Sequence, residues 1–87
     1  MQWRKLININ PGPNQVLLLH LAMNGVKTVG FAMRYTDKNG FDSIKLAVTH
    51  QDLLEREDRC MVMSYPQFKI LDGADKIYWC ILHEPIE

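Results

Sequence analysis

The sequence predicts an α+β domain that is mainly antiparallel β: a three-stranded meander plus an N-terminal strand and a C-terminal hairpin, with one short helix near residues 50–59. Three observations predict it. Asn24-Gly25 and Asn39-Gly40 each lie between apolar runs, and Asn-Gly best supports a two-residue hairpin turn, because both central residues need φ > 0. The two turns agree in placing one apolar set of side chains on a single face of the three strands, the side-chain period of a sheet being two. After Val48 the pattern changes to helix formers in "THQDLLEREDR".

The meander fixes a register that can be checked for consistency, since a one-residue slip flips every side chain to the other face. A two-residue turn at Asn24-Gly25 sets Met23 against Val26, His20 against Val29, Leu18 against Phe31 and Val16 against Met33. A second at Asn39-Gly40 sets Tyr35 against Ile44, Met33 against Leu46 and Phe31 against Val48. Together they predict one core face made of Val16, Leu18, His20, Val29, Phe31, Met33, Tyr35, Ile44, Leu46 and Val48. Ser43, Lys45, Ala47 and Thr49 then face solvent. The other assignment for "QVLLLHLAMNG" is a helix capped by Gly25.

The flanking elements follow from local chemistry. "QWRKLINI" alternates Trp3, Lys5, Ile7 and Ile9 against Arg4, Leu6 and Asn8, and is expected as a strand. Thr49 with Asp52 three residues on is a weaker relative of the capping box and starts the helix. "QFKIL", Asp72-Gly73-Ala74-Asp75 and "KIYWCIL" are expected to form the closing hairpin, with Ile77, Trp79 and Ile81 on one face.

Eighty-seven residues make a single domain, 1–87, near the lower end of what folds alone. Monomer and homodimer are both compatible with that size. Two Trp, three Tyr and three Phe supply bulk for a thin core. Net charge is zero, so whole-molecule attraction to nucleic acid or to an acidic membrane is not expected. The charges are unevenly placed: residues 1–50 carry a net of +4 and residues 51–87 a net of −4. The densest acidic run, "DLLERED", supplies Asp52, Glu55, Glu57 and Asp58. It is either a solvated helix face or a patch that meets a partner.

Cys60 and Cys80 make no disulfide framework of the secreted type. The apolar run "VLLLHLAM" is too short to span a bilayer and follows "NPGPNQ", which makes a poor signal peptide. A soluble, reducing compartment is expected, with no membrane partner.

Candidate chemical sites are few. Cys60, Cys80, His83 and His50 could in principle supply zinc ligands. Cys80 and His83 stand three apart in an expected strand, however, and so point to opposite faces. His20 is expected as a hydrogen-bonded histidine at the rim of the apolar face. No nucleophile elbow, Walker A loop, Gly-x-Gly-x-x-Gly or His-Glu-x-x-His occurs. Phe31, Tyr35 and Arg34 could form a base-stacking platform, but the register assigns Phe31 and Tyr35 to the core. The expectation is a protein that is not an enzyme, with no catalytic residues, no metal, no cofactor and no direct contact with nucleic acid.

The two ends resemble a small domain, of no established activity, found in phage and prophage accessory proteins. Trp3, Pro11, Gln15 and Val16-Leu17-Leu18 match its start. Trp79, Leu82, Glu84 and Pro85 match its tail, which is similar to His-Trp-x-Pro-Leu-Pro-Glu-Pro-Pro. Tyr78 replaces the tail's histidine, and Ile81, His83 and Ile86 stand where prolines are usual. The resemblance covers roughly 25–30 residues and carries over no catalytic residue. It implies a phage or prophage origin and a place in the cytoplasm of the bacterial host. The function expected with it is binding to a host protein, in concrete form inhibition of a defence component such as a CRISPR complex. The alternative is a regulatory or assembly module of the phage cycle. Asp52, Glu55, Glu57 and Asp58 are the expected partner-binding residues.

Overall fold

The computed structural model describes residues 3–23 and 26–82. The strands are Arg4–Lys5 (β1), Leu17–Met23 (β2), Val26–Thr36 (β3), Asp42–Ala47 (β4), Met61–Ser64 (β5) and Ile77–Ile81 (β6). The helices are His50–Glu55 (α1) and Tyr65–Lys69 (α2), with 3-10 turns at Glu57–Arg59 and Ala74–Lys76. The strands form one antiparallel sheet in the order β1-β6-β2-β3-β4-β5. The fold is α+β and mainly β.

The meander β2-β3-β4 forms, and β2 pairs with β3 in the register expected from a two-residue connection, Met23 opposite Val26 and Leu18 opposite Phe31. The Asn24-Gly25 turn itself lies outside the described residues. The β3–β4 register is one residue away from expectation: Arg34 faces Ile44 and Ala32 faces Leu46. The cause is the loop. Asp37 N–H donates to the Phe41 carbonyl at 2.9 Å, and Gly40 N–H donates to the Asp37 carbonyl at 2.9 Å, leaving three residues in the connection. Gly40 takes φ +85°, which closes a turn-plus-bulge hairpin in place of a two-residue turn. Asp37 Oδ1 holds this form by accepting from the backbone of Asn39 and Phe41, both at 2.9 Å.

That slip moves the main core to the opposite face of β2 and β3. The buried cluster contains Leu17, Leu19, Ala32, Ile44, Ile77 and Trp79, together with Leu6, Tyr65, Phe68 and Ala74. Leu18, His20, Phe31, Met33 and Tyr35 lie on the second face and are only half-buried, and Val29 and Val48 are exposed. Ser43 and Ala47, expected in solvent, are buried. They belong to the second face, where α1 packs on β3 and β4 and the His50 ring lies 5.7 Å from Phe31.

The expected strand over 2–9 shortens to Arg4–Lys5, because the Asn8 and Ile9 N–H groups both turn back to the Lys5 carbonyl at 3.1 Å. The chain then crosses the core face. Leu6 is buried, the Trp79 indole donates to the Ile9 carbonyl at 2.9 Å, and the Tyr65 hydroxyl bonds to Asn10 Oδ1 at 3.0 Å. Trp3 is 40% exposed, so only one of the two tryptophans is a core residue.

The expected closing hairpin is replaced. Gln67–Lys69 belongs to α2, and the strand preceding it is β5, which the alternation did not single out. Ser64 caps α2 by accepting from Gln67 N–H at 3.3 Å, and Pro66 occupies its first turn. That is a helix-start signal. Phe68 turns inward while Ile70, its partner in the supposed strand alternation, is 81% exposed. The final strand does place Ile77, Trp79 and Ile81 toward β2's core-face residues, pairing them with Leu21, Leu19 and Leu17. The helix expected near 50–59 is α1 followed by the 3-10 turn, capped by Thr49 Oγ1 accepting from Asp52 N–H at 3.1 Å.

Candidate protein-binding site

The core face is not fully covered. The N-terminal segment and α2 occupy most of it, and midway along β3 the small residues Gly30 and Ala32 lie between the larger side chains of β2 and β4. Without a side chain at Gly30, a groove of about 470 Å³ remains along the sheet toward β5. Leu19, Leu21 and Leu46 line it from the sheet, Met61 and Met63 from the edge strand, and Phe68 and Leu71 from α2 and the segment after it. Val48 and Met61 are largely exposed at its margin. Among the described residues, Arg59 and Asp72 are the only charged ones in its lining.

The chemistry of such a surface is restricted. Pockets that orient a small polar substrate present several converging polar groups. This groove presents aliphatic, methionine and phenylalanine side chains, which adapt to an apolar partner through dispersion and area burial.

The acidic residues singled out from the sequence occupy one segment. Asp52 and Glu55 lie on α1, and Glu57 and Asp58 on the following 3-10 turn. Glu55, Glu57 and Asp58 are exposed, while Asp52 is half-buried. The run is not uniformly acidic in space. Arg56 Nε lies 3.4 Å from Asp58 Oδ1, and Gln51 Nε2 donates to Glu55 at 3.1 Å. The Cys60 thiol donates to the Asp52 and Arg56 carbonyls at 3.3 and 3.4 Å, tying the segment to the start of β5. Arg59, at the end of the same turn, reaches the groove.

No family model, curated protein or solved structure matches this chain.

Other residues weighed from the sequence fall into structural roles. Phe31 and Tyr35 share the second face, whereas Arg34 projects from the core face and is bound to Asp42, so the three make no common platform. His20 is bracketed by Trp3 at 5.8 Å and Tyr78 at 6.3 Å, and its buried Nε2 has no hydrogen-bond partner among the described residues, contrary to the hydrogen-bonded histidine expected. Cys80 is buried and Cys60 half-buried. His83 and the Glu84-Pro85 ending lie outside the described residues, and among the described residues no three metal-binding side chains come together. The groove itself was not legible beforehand. Its signal is Gly30 in the middle of β3, which marks a close approach or a gap.

Proposed function

We propose that this chain is a non-enzymatic protein-binding module of phage or prophage origin that acts on a protein of the bacterial host. The observation that supports binding is the apolar groove, open to solvent at Val48 and Met61 and almost free of charge. A domain of this size that leaves such a surface uncovered loses burial it could otherwise use, which is the usual mark of an interaction surface. The phage setting rests on the resemblance of the chain ends to phage accessory proteins.

The concrete form of the proposal is inhibition of a defence component that handles nucleic acid. There Asp52, Glu55, Glu57 and Asp58 would meet the basic channel of the target, and charge complementarity would speed and orient docking. The test is a phage-plating assay in bacteria with and without an active defence system. Expression of the chain raises plating efficiency only where the defence is present, and reversal of the four acidic residues abolishes the effect. Equal plating in both strains points to a regulatory or assembly role instead.

A further inference from the structure

The two edges of the sheet are built differently. β1 is two residues long and both are charged, Arg4 and Lys5. Short cationic edges resist pairing with another strand. At the other edge β5 reads Met-Val-Met-Ser, with neither charge nor proline, and Met61 and Val62 are 60% and 51% exposed. Alternate backbone N–H and C=O groups of β5 point away from β4, a row that a further strand can satisfy.

We infer that β5 pairs antiparallel with β5 of a second copy, about a two-fold axis at Val62, joining two six-stranded sheets into one. The register follows from the faces of the side chains. Met61 lies opposite Leu46 and Met63 opposite Ile44, so both belong to the groove face, and Val62, opposite Lys45, belongs to the other. Opposed residues in an antiparallel pair share a face. With Val62 opposite Val62 of the second copy, Met61 of each chain meets Met63 of the other. The two grooves then open on the same side and adjoin across the seam. A shift by one residue would oppose Val62 to Met63, turn the grooves to opposite sides and set Met61 against Ser64.

A second copy is the occupant these residues fit. Its strand arrives already extended, without the ordering cost of a disordered peptide. An uncharged strand meets its own copy without repulsion, and the isologous geometry closes at two chains. At the β1 edge the same operation would bring cations together. The dimer is independent of the function proposed above.

Sedimentation velocity over a concentration series tests it. The wild-type chain associates to a dimer, and Val62→Lys, which places two lysines face to face at an exposed position, weakens association at least roughly tenfold while leaving the circular dichroism unchanged. In a Cys60→Ser background, Val62→Cys cross-links two chains on oxidation, whereas Phe41→Cys, still more exposed in the β3–β4 loop, does not. A chain that stays monomeric at high concentration overturns the inference. So does a dimer indifferent to Val62→Lys, or a monomer whose β5 edge is protected from hydrogen exchange only by an added extended peptide.

Discussion

Arg34 and Asp42 form a two-pronged ion pair across the β3–β4 hairpin, Nε to Oδ1 at 3.0 Å and Nη2 to Oδ2 at 2.7 Å. They lie diagonally on the core face, a direct result of the register that Gly40 sets. The same guanidinium donates to the Pro11 carbonyl at 2.8 Å and stacks 4.0 Å above the Tyr65 ring. One side chain thus joins the meander, the N-terminal segment and α2.

Replacing Arg34 with Met keeps much of the packing but strands the Asp42 and Pro11 acceptors. The expected loss is about 2 kcal/mol in urea unfolding. Arg34→Lys recovers only part of it, because an ammonium cannot match the fork or stack as a plane.

The Asp42 carboxyl is held below the ordinary carboxylate range, first by its hydrogen bond from Arg34. The unfolded chain therefore takes up this proton before the folded one does. The stabilisation is complete above the unfolded value of about 3.9 and is lost as pH falls through the folded pKa. Asp42→Asn is accordingly less stable near neutrality and shows a shallower loss on acidification, measured by urea midpoints across the acid range.

The meander, its first register, α1 with its Thr49 cap and the inward face of β6 were legible in the sequence. Each rests on signals within a few residues of one another. The second register was not, because Asn39-Gly40 fits both a two-residue turn and a longer loop. What decides between them is the Asp37 carboxylate, which captures the N–H groups of Asn39 and Phe41. That one-residue difference reversed the core face and hid the groove at Gly30. α2 was hidden because Phe68 and Ile70 alternate as a strand would, while the stronger cue is Ser64 followed by Pro66. Asp52, Glu55, Glu57 and Asp58 were legible as one segment, but the pairing of Asp58 with Arg56 was not.

Gly40→Ala isolates that loop. Nothing lies within 4 Å of an added Cβ, so the cost is purely the left-handed backbone at φ +85°. The expected destabilisation is about 1 kcal/mol by thermal or urea unfolding, with no change in the two-dimensional NMR pattern away from residues 37–41.

Trp79 is 3% exposed and its indole N–H bonds to Ile9. Trp79→Phe loses the bond and some volume, about 1–2 kcal/mol, whereas Trp79→Ala opens a cavity and costs about 3–5 kcal/mol. Denaturant midpoints of the two variants should separate accordingly.

Burial pushes the Cys80 thiol above its ordinary value. A half-buried Cys60 is the more accessible nucleophile. Mass spectrometry after brief alkylation of the native protein should show one adduct, at Cys60, with Cys80 labelled only on denaturation.

Affinity capture from a bacterial lysate with a paired variant tests whether the uncovered groove binds another protein. Val48→Asp with Leu71→Asp charges the groove at positions that line it outside β5. A specific protein is expected to be retained by the wild-type chain and lost from the folded double variant. Identical capture by both, or no specific capture by either, would contradict it.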